Sequence, residues 1–351
     1  MDTILIVGTG TIGEPLATLF CTLQRELDVE EVIVYKHTPR LQDRPALSAL
    51  VQAGARLCVD PGKAGFFEEL GLRPDYLGLE TAIARSKVVI DCTPDGVGLR
   101  NKERFYLRFR GGRLFIAQGS EFGFGKPYVL GVNDEALGER DDFIQVLSCN
   151  THSIASVVHA LARNGDGYDL EWGKFLCIRR ASDVGQEVDV IPAIKVNDHH
   201  SPWGTHHARD AYHLFRTVGA ELSLFSSAVQ INTQYMHVLH FHLRMRRSMT
   251  PEEAEDRIVR NPYIAITHKP MTNLVFSFGR DHGFHGRLLT HAVVVLPTLH
   301  VHADQEVVGY AFTPQDGNVL LSNIAATCRF LWPRGYREKL HYFRRFLPKE
   351  V

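Results

Sequence analysis

The stretch TILIVGTGTIGEPLATLFCTL, residues 3–23, restricts what the chain can fold into more than any other feature. A strand-length apolar run leads into Gly8, Gly10 and Gly13 in GxGxxG spacing, and apolar residues at helical spacing follow. In this arrangement Gly8 permits a tight turn, Gly10 lets backbone approach the pyrophosphate of a dinucleotide, and Gly13 lets helix and strand pack closely. Thr11 and Ile12 complete the loop, and the helix N-terminus supplies N–H groups to phosphate. Further apolar runs, EEVIVY, SKVVID and GRLFIAQ, each end in a polar loop and alternate with helical stretches. That alternation predicts an α/β, Rossmann-type doubly wound sheet with its ligands across the strands' C-terminal edge.

The second strand ends in Tyr35-Lys36-His37-Thr38-Pro39-Arg40. An NAD site usually carries an acid here for the ribose 2′-hydroxyl, and a basic residue suits a 2′-phosphate. Lys36 therefore predicts that NADP binds at least as well as NAD.

With 351 residues, 44% of them hydrophobic, the chain is long enough for two domains with sizeable cores. A formal charge of −1 argues against a nucleic-acid or anionic-membrane partner. The opening TILIV is too short for a signal-peptide core, and no stretch approaches a membrane span, so the cytoplasm is expected. The 6 cysteines show no CxxC spacing, which speaks against a zinc site or a disulfide scaffold.

The segment VLSCNTHSIA, residues 146–155, places Cys149 where a buried strand gives way to a helix, with Asn150-Thr151 as a candidate cap. A helix N-terminus favours the thiolate, the nucleophilic form. Against this, a cysteine is more often a small buried hydrophobe.

The motifs GTGTIGEPLA, YKHTP, VIDCTPDGVGLRNKE, AQGSE, VLSCNTH, CIRRASD, NDHHSP, QYMHV, FGRDHG and LLSNIAA occur in the order and rough spacing of the archaeal-type (type II) glyceraldehyde-3-phosphate dehydrogenases. The chain resembles that family over nearly its whole length. The resemblance implies a phosphorylating, NAD(P)-dependent aldehyde dehydrogenase that turns aldehyde plus inorganic phosphate into acyl phosphate. Its implied setting is glycolysis or gluconeogenesis in a homotetramer. It implies a dinucleotide-binding domain of residues 1–148 with 311–351, and a catalytic α+β domain of residues 149–310 with a mainly antiparallel sheet.

Residue roles follow in the same way. Cys149 matches the nucleophile, suited to the task because its thioester stays reactive towards phosphate. His237 matches the catalytic histidine, expected as a general base, with His240 as rival. Asn150, Thr151, Arg179, Arg180, His199 and His200 match substrate or phosphate positions. Spacing alone does not choose between the two arginines. Thr38, Thr93, Gln118, Gly119 and Asn323 join the glycine loop and Lys36 at the cofactor, with a helix N-cap as the competing reading of Asn323.

The pattern departs from the family in two places. His152 replaces a threonine, which changes the shape and potentially the charge near the phosphate. The stretch HHSPWGTHHARDAYHLFR looks like a histidine-rich insertion, expected as a solvated loop or a cover for the site; its spacing fits no metal site. These departures leave another phosphorylated aldehyde, semialdehyde or acyl phosphate as an alternative substrate, and a non-catalytic dinucleotide-binding paralogue as an alternative of another kind.

Overall fold

The computed structural model describes residues 2–138, 140–182, 193–199, 201–314 and 316–351. The chain divides into two compact units, one of residues 1–126, 138–146 and 323–342, the other of 127–137, 147–322 and 343–351.

The first unit begins with β1 (Thr3–Val7) and α1 (Gly13–Thr22), then β2 (Glu31–Lys36), α2 (Arg44–Gln52) and β3 (Arg56–Val59). Next come α3 (Ala64–Glu69), β4 (Tyr76–Leu77), α4 (Leu79–Arg85), β5 (Val88–Asp91) and α5 (Val97–Arg104). The strands β6 (Leu114–Gln118), β7 (Lys126–Tyr128) and β8 (Phe143–Val146) complete a sheet of order β4-β3-β2-β1-β5-β6-β8-β7. The pairings of β1 with β2 and β5, and of β6 with β5 and β8, are parallel. Covered on both faces, such strands read as unbroken apolar runs, and every residue of β1 is buried. The strand order reverses between β1 and β5, the switch point where an α/β sheet offers its ligand crevice.

The second unit opens with α6 (Cys149–Ala162), a hairpin of β9 (Arg163–Asn164) and β10 (Gly167–Tyr168), and β11 (Leu170–Arg179). After β12 (Lys195–Val196) come α7 (His206–Arg216), β13 (Leu224–Gln230), β14 (His237–Met245) and α8 (Pro251–Arg260). There follow β15 (Ile264–Thr267), α9 (Thr272–His282), β16 (Ala292–Val295), β17 (His300–His302) and β18 (Glu306–Thr313). Helix α10 (Gly317–Leu331) begins among the second unit's residues and ends among the first's, and α11 (Tyr336–His341) belongs to the first. The sheet runs β12-β13-β11-β14-β18-β16-β15 with β17 on β18; the β11–β13 and β15–β16 pairs are parallel and the others antiparallel. This is the mainly antiparallel sheet expected from the resemblance.

Along β14 burial alternates strictly, so His237, Leu239 and Phe241 face inward while Val238, His240 and His242 face outward. The inner face packs with α6, α7 and α8 around one core that includes Leu161, Phe215, Leu239 and Phe241. The histidine-rich stretch is not a solvated loop: α7 buries Ala208, Ala211, Leu214 and Phe215 completely. Its apolar residues recur at helical spacing, and burial of that stripe outweighs the polarity of the intervening histidines.

His152 is likewise a core residue. Its Nδ1–H donates to the Ser148 carbonyl at 3.1 Å, so Nε2 accepts from the Ser322 hydroxyl at 2.8 Å and the ring is neutral. Burial pulls its pKa down to about 4 and that of the fully buried His291 well below the usual histidine range. His152 thus adds no charge at neutral pH. No helix among the described residues is long and apolar enough to cross a membrane.

Two expectations follow. Gly13→Ala places a Cβ 2.0 Å from the Gly8 carbonyl oxygen and should cost about 3 kcal/mol of stability by overpacking; denaturant titration with unchanged stability contradicts the close packing. His152 and His291 stay neutral in the fold but bind protons in the unfolded chain below about pH 6.5. The unfolded state therefore gains protons, and stability falls as pH drops from about 6.5 towards 4, by about 1.4 kcal/mol per pH unit for each histidine. Equal denaturation midpoints at pH 7.5 and pH 5 would contradict this.

Candidate active site

Within the first unit, the three fingerprint glycines have separable roles. Gly8 has φ +95°, and a Cβ on it would lie 3.1 Å from the Cys92 carbonyl oxygen just beyond β5. A Cβ on Gly10 would meet nothing within 4 Å, which leaves open space above the loop. With α1 beginning at Gly13, a helix N-terminus follows the loop, and such a donor set fits a pyrophosphate.

Lys36 lies beside this loop. Its ammonium donates to Thr9 Oγ1 at 3.0 Å and pairs with Asp43 at 2.6 Å. An acid thus reaches the end of β2 from the following turn, a partner that the motif spacing did not reveal. Thr38 is exposed in the adjoining loop. At the end of β5, the buried Asp91 carboxylate accepts from the Thr93 amide at 3.0 Å, the Thr93 hydroxyl and the Asn101 amide at 2.8 Å, which fixes the Thr93 turn. Gly119 has φ +71° and donates to the Val146 carbonyl at 2.9 Å. Gln118 and Asn323 form a closed amide pair, with Gln118 Nε2 donating to Asn323 Oδ1 at 2.7 Å and Asn323 Nδ2 to Gln118 Oε1 at 2.8 Å. Asn323 sits inside α10 and is no N-cap.

Within the second unit, Cys149 is the first residue of α6. The cap is Ser148, not the Asn-Thr pair: Ser148 is extended (φ −67°, ψ 159°) and its Oγ accepts from the Thr151 amide. Thr151 is buried and its hydroxyl lies 2.9 Å from Ser148 Oγ, so its side chain supports the cap. Asn318 Nδ2 donates to the Cys149 carbonyl at 3.1 Å and to that of His291 at 3.2 Å, anchoring the helix start. Cys149 itself is half-buried, and its place at a helix N-terminus favours the anion. Burial pushes Cys21 up to about 11, Cys58, Cys177 and Cys328 up to about 12, and Cys92 well above the ordinary thiol range.

His237 opens β14 on the inner face, at 7% exposure. The Arg180 amide donates to its Nδ1 at 3.1 Å. A backbone N–H can only donate, so Nδ1 is a lone pair and the neutral ring carries its proton on Nε2. Burial, and then the charges of Arg180 and Arg179, draw the pKa down to about 3. The ring is therefore a neutral donor through Nε2 near pH 7, a different protonation pattern from the expected general base. His240 faces the other side of the sheet and packs on Tyr310.

Both arginines lie near His237, because the chain leaves the strand after Arg179 and alternation no longer separates them. Among the described residues the Arg179 guanidinium has no hydrogen-bond partner, and its charge acts on Cys177, His207 and His237. Arg180 is buried, with Nη1 donating to the Tyr235 carbonyl at 3.5 Å. His199 bonds Ser227 at 3.1 Å and packs on Phe225, residues of the sheet face opposite Ser226 and Ala228. It is not brought to Cys149. His200 lies outside the described residues. Among the described residues no group of three or more His, Cys, Asp or Glu side chains is placed to hold a metal ion.

Sequence reasoning missed Asn318 and His207. The former carried no local signal, because its partner is far away in the chain; the latter sat in the histidine-rich departure, whose helical period was the available clue.

No family model matches the chain. It is 30% identical over 271 residues to a glyceraldehyde-3-phosphate dehydrogenase of Pyrobaculum arsenaticum, covering 74% of this chain and 71% of that protein. To the enzyme of the same name from Methanopyrus kandleri it is 29% identical over 261 residues, 72% of this chain and 69% of the relative. With that of Methanococcoides burtonii the figures are 26% over 292 residues and 80% of each. With the glycine loop, the capped cysteine and the inward histidine all in place, the chain belongs to the archaeal-type glyceraldehyde-3-phosphate dehydrogenase family.

Proposed function

We propose that the chain is a phosphorylating glyceraldehyde-3-phosphate dehydrogenase that uses NADP and NAD. The observation that carries this reading is Cys149 at the capped start of α6, in a unit where Arg179, Arg180 and His237 converge on the same face of the sheet.

The chemistry then runs as follows. The Cys149 thiolate attacks the aldehyde carbon, and the carbonyl electrons move to oxygen to give a hemithioacetal alkoxide. His237 Nε2–H donates to that oxygen and stabilises its charge. The alkoxide re-forms its double bond as hydride leaves, and a thioester on Cys149 remains. Bound NAD(P)⁺ supplies the hydride acceptor; Gly8, Gly10, Thr11, Ile12, Gly13, Thr93, Gln118, Gly119 and Asn323 are the residues that would hold it. A hydrogen phosphate oxygen next attacks the thioester carbon, the thiolate leaves, acyl phosphate is released and one proton goes to solvent. Arg179 and Arg180 suit the phosphate groups, with Asn150 beside the reacting carbon.

Lys36 next to Thr9 supports binding of a 2′-phosphate, while Asp43 tempers it and supports use of NAD as well. A cytoplasmic homotetramer is part of the reading. The outward sheet face carries Trp172, Leu176, Ile178, Val238 and Tyr310 interspersed with Lys174, His240 and His242, a mixed surface of the kind that subunit contacts cover.

Purified protein with glyceraldehyde 3-phosphate and NADP⁺ or NAD⁺ should form more than one equivalent of reduced cofactor only when phosphate is supplied, and Cys149→Ser should abolish its formation. Sustained turnover without phosphate would overturn the phosphorylating reading. Iodoacetamide should label Cys149 well ahead of Cys177 and Cys328, as read by peptide mass spectrometry; equal labelling contradicts the activated thiolate. Lys36→Ala should raise KM for NADP⁺ about tenfold, with NAD⁺ little changed, for the loss of one charge-assisted contact. Because His237 stays neutral down to about pH 3, no limb near pH 6.5 should come from it in kcat/KM. His237→Gln, which keeps an N–H donor, should retain more activity than His237→Ala, and equal losses would favour a base.

A further inference from the structure

Asn150 follows the nucleophile and is 2% exposed. Its Nδ2 lies 3.2 Å from Nε2 of His207, which is also 2% exposed and is carried by the second position of α7. An amide nitrogen only donates, so His207 Nε2 is the acceptor and Nδ1 holds the proton. Nδ1–H then donates to Thr205 Oγ1 at 3.1 Å. The Thr205 hydroxyl in turn donates to Ser226 Oγ at 2.6 Å. Ser226 also receives the Ala208 amide at 3.0 Å and returns its own proton to the Thr205 carbonyl at 3.4 Å.

Every proton in this chain has one direction, and its far end is bolted to the α7 start and β13 by the Thr205 amide on the Ser226 carbonyl at 2.9 Å. The near end fixes which way the Asn150 amide points. Asn150 Oδ1, turned away from His207, has no hydrogen-bond partner among the described residues, although it is buried. A buried acceptor without a donor costs stability unless a ligand satisfies it. Asn150 is one residue along α6 from Cys149.

We propose that His207 is a positioning residue that aims Asn150 Oδ1 at the 2-hydroxyl of the substrate, so that α7, the helix in the segment where this chain departs from its family's pattern, selects 2-hydroxyaldehydes. This rests on the aldehyde dehydrogenase reading. His207 itself touches no reacting atom. Its histidine neighbour His206 stacks on it with ring centroids 3.9 Å apart, and the charge of Arg179 reaches it from the sheet.

The test compares kcat/KM for glyceraldehyde 3-phosphate with that for its 2-deoxy analogue, 3-oxopropyl phosphate, in the wild type, His207→Leu, His207→Gln and Thr205→Val. The wild type should prefer the hydroxylated substrate. His207→Leu should lose about tenfold on it, the worth of one hydrogen bond, and little on the analogue. Gln, whose Oε1 can accept from Asn150 Nδ2, should recover part of the preference. Thr205→Val, which leaves His207 in place but removes the partner of Nδ1, should shift the preference the same way by less. Equal losses on both substrates in His207→Leu, with no recovery in Gln, overturn the proposal. If His207→Leu fails to fold, the Gln and Val variants decide it by the same ratio. A wild type inactive on both aldehydes instead overturns the functional reading, a result separable from any change in the ratio.

Discussion

The arrangement depends most on the first turn of α6. Four backbone N–H groups at a helix start need partners, and Ser148 takes one of them with Cys149 as the first residue of the helix. The carbonyl groups of this turn are held as firmly as its amides. His152 Nδ1–H takes the Ser148 oxygen, and Asn318 Nδ2 takes that of Cys149. The proposed nucleophile is useful only if it does not wander, and these bonds hold the helix start that carries it. The buried histidines His152 and His291 belong to the scaffold on which the cysteine stands.

Neutral imidazoles recur throughout the second unit, and each is locked by a neighbour of unambiguous chemistry. A carbonyl fixes His152, a backbone amide fixes His237 and a side-chain amide fixes His207. The result is three imidazoles whose pKa values burial holds low, two of them, His207 and His237, under the charge of Arg179. In the proposed mechanism, that balance leaves Arg179 for an anionic substrate and His237 for developing charge on oxygen. Electrostatic stabilisation of this preorganised kind needs no proton to move before hydride departs.

Much of the architecture was legible before the coordinates. Continuous apolar runs marked β1, β5 and β6 because parallel strands are buried on both faces, and the glycine spacing located the turn that Gly8 and Gly13 make obligatory. Cys149 was legible as a helix start, but its cap was not, since Ser148, Asn150 and Thr151 are all capping residues and only the backbone decides among them. The histidine-rich segment reads as a loop by its polarity, and only the helical stripe of Ala208, Ala211 and Phe215 signals the helix. The His237 tautomer had no trace in the sequence. It depends on the Arg180 amide 57 positions away, a contact that only the β11–β14 pairing creates.

The central claim is a covalent thioester on the residue that opens α6. The most direct measurement is intact-protein and peptide mass spectrometry after a single turnover with glyceraldehyde 3-phosphate and NADP⁺ in phosphate-free buffer. The account predicts an acyl adduct confined to the Cys149 peptide, with one equivalent of NADPH, and its release as acyl phosphate when phosphate is added. NADPH formed without an adduct, or an adduct on another cysteine, would contradict it.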